Sequence, residues 1–136
     1  MHRMATAALP EAWPPAALAA AISDEQEHQR AVVAEIARRP VGYLLYSRLA
    51  GEFELLQLVV DEGWRRRGVG RRLLAALCAE ADGCDGTIML ELRASNRAAL
   101  ALYRTAGFTI VGRRPGYYRP ATPGGARESA LIMRYP

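Results

Sequence analysis

Arg65-Arg66-Arg67-Gly68-Val69-Gly70-Arg71-Arg72 is the stretch that decides the fold. An apolar run, Leu55 to Val60, precedes it and reads as a strand. Leu73-Leu74-Ala75-Ala76-Leu77 follows and reads as a helix. A loop with two glycines and several cations therefore sits where a strand hands over to a helix N-terminus. There the first backbone N–H groups lack intrahelical partners and the helix dipole is positive. Gly68 and Gly70 let the backbone approach a ligand closely. Such a loop suits a di- or polyphosphate.

Known phosphate loops narrow the choice. Gly63 and Gly68 have Walker A spacing, but Val69-Gly70 stand where Lys and a Mg-binding hydroxyl are needed. The dinucleotide fingerprint fails because Leu73 replaces its third glycine. What remains is Arg-x-x-Gly-x-Gly, from Arg65 to Gly70. It resembles the pyrophosphate loop of the GNAT acetyltransferases, which hold acetyl-CoA. A solvated, glycine-capped arginine turn is the alternative reading of the loop alone.

Composition bounds the rest. The chain has 136 residues, 51% hydrophobic and 24% charged, which predicts one ordinary globular domain over residues 1–136. All of its basic residues are Arg, so Schiff-base and P-loop lysine mechanisms are excluded. The net charge of +4 is modest, and the arginines gather at the glycine loop and at Arg113-Arg114. An anionic cofactor accounts for them, and few aromatics are interleaved, so no nucleic-acid partner is expected. Cys78 and Cys84 have no ligand partners at zinc spacing, so no metal is expected. Cys78 falls on the apolar face of the helix and reads as core. His2 and His28 are remote from the informative half, which argues against a His-based triad.

Along the chain, Pro14-Pro15 can open a short helix through Ile22, and Ser23 to Gln26 reads as a polar connection. The apolar run Ala16 to Ile22 is too short for a membrane span. A cytoplasmic protein with free thiols is expected. Strand-like runs cover Arg30–Ile36, Val41–Leu49 and Glu52–Val60, joined closely enough for an antiparallel meander. A helix spans Gly68 to Asp82, and Thr87 to Leu92 is a strand. Ser95 or Asn96 caps a second helix to Ala106, which Gly107 terminates. Phe108–Val111 is a strand, Arg113–Gly125 a Pro/Gly/Tyr-rich loop, and Ala130–Tyr135 the last strand.

Glu91 interrupts the apolar strand Ile88-Met89-Leu90-Glu91-Leu92. A carboxylate there is costly unless paired or used. Pairing with Arg93 on the same face, or simple solvent exposure, are alternatives to a catalytic role. Asn96 and Tyr103 lie seven positions apart, two helical turns, and can share a face. The run from Glu91 to Phe108 closely resembles the RimI-type branch of the GNAT acetyltransferases, which modifies protein α-amines. The likeness rests on Leu90-Glu91, Arg93-Ala94-Ser95-Asn96, Ala101-Leu102-Tyr103 and Gly107-Phe108. Arg113-Arg114, Tyr117-Tyr118, Pro120 and Ala130-Leu131-Ile132-Met133 extend it, so that it runs from about Phe53 to Tyr135.

The resemblance implies a fold, a reaction and a set of roles. The fold is α/β: a single mixed, mostly antiparallel sheet with helices on both faces. Family members have a longer opening, so the N-terminal elements, before or around Trp13-Pro14, are expected to be shortened, with the first strand or first helix missing. Leu58, Val59 and Val60 would offer strand backbone to the pantetheine arm. Arg66, Arg67, Gly68, Val69, Gly70 and Arg71 would cradle the pyrophosphate, and Asn96 would bond the cofactor. Glu91 would be the general base, through water, and Tyr103 the general acid. Tyr117 and Tyr118 would border the peptide entrance. The implied reaction moves acetyl from acetyl-CoA to a protein N-terminal α-amine, with a ribosomal-protein alanine as the expected partner and no membrane. A small amine or a protein lysine as acceptor, or an idle acyl-CoA-binding module, are the alternatives. An α-amine, with a pKa of about 8 against about 10.4 for lysine, needs less help to become a nucleophile.

Overall fold

A computed structural model describes residues 2–4, 28–120 and 122–136. The helix expected from Pro14 to Ile22, the Trp13-Pro14 motif and the connection at 23–26 lie outside the described residues. The strands are β1 (His2–Met4), β2 (Gln29–Ile36), β3 (Arg39–Leu49), β4 (Glu52–Val60), β5 (Thr87–Arg93), β6 (Thr109–Tyr118) and β7 (Glu128–Tyr135). The helices are α1 (Val69–Asp82) and α2 (Arg97–Thr105), with a 3-10 turn at Glu62–Trp64. One seven-stranded sheet runs in the order β1-β2-β3-β4-β5-β7-β6. A first strand is thus present, three residues long.

β2, β3 and β4 form the expected meander. Ile36 pairs with Arg39 and Leu49 with Glu52, so each hairpin turn has two residues. Ala37, Arg38, Ala50 and Gly51 all have positive φ (51°, 67°, 51° and 83°). That backbone follows the twist of the strands it joins.

β4 and β5 are parallel and pair only over Glu52–Glu54 and Thr87–Met89. The register of β4 on β3 jumps from Gln57 to Leu55, which leaves Leu56 as a bulge. A bulge bends its strand. Beyond it, Leu58 to Val60 stay paired with β3 but have no partner in β5. The two strands therefore part where β4 enters the glycine loop.

α1 fills the helix side of the sheet with Leu73, Leu74 and Leu77, all fully buried. Each contributes about 1.5–3 kcal/mol by leaving water. Gly42 on β3 makes room for it: a Cβ there would lie 2.9 Å from Val59 O and 3.0 Å from Val69 Cγ1. Cys78 is buried in this core, as its position on the apolar stripe predicts. Along β5, Ile88, Leu90 and Leu92 enter the same core, so Met89, Glu91 and Arg93 lie on the opposite face.

One expectation is overturned. The segment from Arg113 is not all loop: β6 continues to Tyr118, and Tyr118 pairs with Glu128 of β7. Pro115-Gly116 breaks the register between Arg114 and Tyr118, with Gly116 at φ +59°, but does not end the strand. β6 is the sheet edge, where a missing ladder donor is tolerated. The real connection is residues 119–127.

Candidate active site

A cleft of about 800 Å³ opens where β4 and β5 part. Leu58, Val59 and Val60 of β4 form one wall. The loop and the first turn of α1 supply Arg66, Gly68, Val69, Gly70 and Arg71. Asn96, Leu102 and Tyr103 close it from the α2 side. Nearly all the residues expected at a cofactor site thus come together. Arg67 does not line the cleft; its guanidinium lies 5.0 Å from the centroid of the Trp64 ring.

The electrostatics of this corner favour an anion. Gly68 is the N-cap of α1 in a left-handed conformation (φ 82°), and no side chain caps the first turn. That turn carries no acid and instead holds Arg71 and Arg72. Cations at the positive end of a helix dipole are unfavourable by about 0.3–1 kcal/mol each. A bound pyrophosphate reverses that sign. Arg66, a non-glycine at φ 63°, marks backbone strain in the same loop. Gly70 faces Val60 and Leu102, both within ordinary contact distance of a Cβ built there. Gly70 lines the cleft, so a longer side chain at this position can enter it.

Asn96 caps α2: its Oδ1 accepts from the Ala99 N–H at 3.1 Å. Its amide NH2 remains for a ligand in the cleft. Tyr103 is buried beside Phe108, with ring centroids 5.7 Å apart. Burial pushes its phenol up to about 12, so it is a firm proton holder at neutral pH.

Glu91 is not in the cleft. It stands on the other face of β5, and its side chain is about one-third exposed. Its partner is not Arg93 but Arg114, whose Nη1 donates to Oε1 at 3.1 Å and Oε2 at 3.5 Å. Arg93 binds Glu128 instead, at 2.9 Å. The register explains the exchange: Glu91 pairs with Ile132 and Ile132 with Gly112, while Arg93 pairs with Ala130 and Ala130 with Arg114. The small Ala130 between them lets long side chains reach diagonally.

Tyr117 and Tyr118 join this cluster rather than the cleft. Their rings meet edge to face at 5.1 Å. Arg114 lies 3.8 Å from the Tyr117 centroid and Arg93 4.7 Å from that of Tyr118. The Tyr118 phenol is raised, first by burial and then by the nearby Glu91 charge. Arg114 had no site role in the sequence, where it stands far from Glu91; only strand register brings the two together.

The sequence profile of the acetyltransferase (GNAT) family matches residues 1–108. The N-alpha-acetyltransferase RimI of Mycobacterium tuberculosis is 43% identical over 111 residues, covering 79% of this chain and 68% of that protein. The [ribosomal protein bS18]-alanine N-acetyltransferase of Escherichia coli K12 is 44% identical over 86 residues, 62% of this chain and 56% of that enzyme. The match therefore spans little more than half of the E. coli relative. A crystal structure of the ribosomal-protein-S18-alanine N-acetyltransferase from Escherichia coli superposes with a TM-score of 0.79 at 26% identity, covering 100% of this chain and 94% of that one. A Bacillus subtilis acetyltransferase in complex with CoA shares the fold at 18% identity, with a TM-score of 0.69 over 79% of this chain and 76% of that one. By its matched length and by the parted strands beside the glycine loop, this chain belongs to the acetyltransferase (GNAT) family.

Proposed function

We propose that the protein, read as one domain, is an acetyl-CoA-dependent N-acetyltransferase whose acceptor is a protein N-terminal α-amine, with a ribosomal-protein alanine foremost. The carrying observation is the pairing of one cleft with one exposed carboxylate across the sheet. The cleft has a cationic, uncapped helix end at one side and Tyr103 at the other. Glu91 stands on the opposite face of the strand that bounds the gap. The names of the RimI relatives support the choice of acceptor.

In this reading Arg66, Gly68, Val69, Gly70 and Arg71 hold the pyrophosphate through N–H groups and guanidinium charge. Arg67 braces Trp64 behind them. Leu58, Val59 and Val60 offer main-chain groups to an extended pantetheine arm, as an added strand would be received. Asn96 bonds the arm from the α2 side. Glu91 takes a proton from the acceptor ammonium through water. The freed nitrogen forms the C–N bond as the C–S bond breaks. Tyr103 donates a hydrogen bond, and then its proton, to the departing sulfur, and solvent restores it. Of the two protons the nitrogen loses, one is thus balanced by the thiol formed and one goes to solvent. Tyr117 and Tyr118 border the groove through which the chain end reaches Glu91.

We place the reaction in the cytoplasm. Cys78 and Cys84 are both free thiols, as a reducing compartment allows. No helix among the described residues is long and apolar enough to cross a membrane.

Peptides with a free or a blocked N-terminus, incubated with acetyl-CoA and read by mass spectrometry, test the proposal. A free alanine-initiated peptide is expected to gain one acetyl group, and the blocked peptide with an internal lysine to gain none. Preference for polyamines or internal lysines over every N-terminal peptide would overturn the acceptor. No transfer to any amine, with acetyl-CoA bound, would leave an idle binding module.

A further inference from the structure

Arg114 is held from several sides. It donates to both oxygens of Glu91 and stacks on Tyr117. The Pro115-Gly116 irregularity that brings Tyr117 under it is itself fixed: Arg127 donates to Gly116 O at 2.7 Å and to Tyr117 O at 3.1 Å. An exposed ion pair contributes only about 0–1 kcal/mol to stability, so fold stability alone does not explain so much positioning.

We propose that Arg114 is a positioning residue that favours the neutral, nucleophilic form of the acceptor amine. The proposal rests on Glu91 being the base, as above. The amine arrives as an ammonium ion. Without Arg114 the Glu91 carboxylate would bind that ion in a stable, unreactive pair. With Arg114 in place, the carboxylate charge is already balanced, and a second cation beside the guanidinium is disfavoured. The bound ammonium is thereby made a stronger acid, it gives up its proton through water, and the lone pair is freed for the thioester carbonyl.

The other charges on this face do not cancel the effect. Among the described residues they are Glu52 and Glu54 on β4, Arg93 on β5, Glu128 and Arg134 on β7, and Arg119 and Arg127 in the connection. Arg93 and Glu128 neutralise each other at 2.9 Å. Tyr117 and Tyr118 are the nearby titratable phenols. Glu54 pairs with Met89, one step along the same face from Glu91, on the side of β5 away from Arg114.

The test is kcat at saturating free N-terminal peptide across about pH 6.5–9.5, around the ordinary α-amine value near 8. The wild type is compared with Arg114→Gln and Arg114→Lys. Arg114→Gln is expected to be roughly tenfold slower near pH 7 and to approach the wild type at the alkaline end, where the amine is neutral without help. Its peptide KM should fall together with kcat, because the ammonium now pairs with Glu91. Arg114→Lys should restore most of the neutral-pH rate. A loss of equal size at every pH, or no loss at all, overturns the role of Arg114 while wild-type turnover leaves the acetyltransferase reading standing. Failure of the wild type to acetylate any free N-terminus overturns both.

Discussion

Glu91 and Tyr103 serve opposite faces of one sheet: Glu91 stands outside the cleft on β5, whereas Tyr103 projects from α2 into it. Between them β4 and β5 part beyond Glu54 and Met89. In the proposed mechanism, proton removal from the acceptor and protonation of the leaving sulfur are thereby kept apart.

Glu91→Gln should slow turnover by about 10²–10⁴-fold, the usual scale for a general base. Acetyl-CoA affinity should stay close to wild type, since Glu91 lines no part of the cleft. Tyr103→Phe should slow turnover on a similar scale by removing the donor at the sulfur. Steady-state rates and calorimetry check both, and near wild-type turnover in either variant removes that residue from the mechanism.

Gly70 separates two kinds of change. A Cβ there would be 3.5 Å from Leu102 Cδ2 and 3.7 Å from Val60 Cγ2, ordinary contacts. Gly70→Ala should therefore fold and bind CoA nearly as the wild type does. Gly70→Glu sends a carboxylate into the site of the pyrophosphate and should abolish measurable CoA binding in a folded protein. Equal CoA affinity in the two variants would show that the cleft holds something else.

Much of this was legible in the sequence because it is local. The glycine loop, α1 and the β2–β4 meander follow from periodicity and turn residues within short windows, and the start of α2 from its cap. The continuation of β6 past Arg113 was not, because Pro115 and Gly116 are breakers in isolation and only the register with β7 carries the strand across them. The partner of Glu91 was hidden for the same reason. Alternation along β5 offers Arg93, but the sheet order places β7 and then β6 beside β5, and Arg114 reaches across. Nor does sequence say which arginine of the loop faces the cleft; Arg66 does and Arg67 covers Trp64.

The hairpin between β2 and β3 stores removable strain. Ala37 and Arg38 both adopt positive φ, and neither is glycine. Left-handed backbone costs an ordinary residue about 1–2 kcal/mol. Asn-Gly is the pair this turn geometry prefers. The double change Ala37→Asn, Arg38→Gly should raise stability by about 1–2 kcal/mol, less the added flexibility of the unfolded glycine. Urea denaturation should show a higher midpoint at unchanged slope. A lower midpoint would mean that Ala37 or Arg38 makes a contribution outside the turn.

Tyrosines set the alkaline limit of the fold. Burial raises the Tyr103 phenol to about 12, and Tyr135 is raised to about 12, first by donating to the Asp82 carboxylate at 2.9 Å. Tyr46 is pushed up by burial and by its bond to Glu80. In the unfolded chain each ionises near 10. Folded values above unfolded ones mean that the stability these groups contribute is complete below about pH 10. It is lost as the pH rises through about 12, because the unfolded state releases its protons first. Thermal unfolding followed by circular dichroism should therefore hold steady up to about pH 10 and fall steeply beyond it. Tyr135→Phe should lower stability at neutral pH, where Asp82 loses its donor, and make the alkaline decline shallower. Parallel pH profiles for the wild type and Tyr135→Phe would show that the Tyr135–Asp82 bond between β7 and α1 carries none of this dependence.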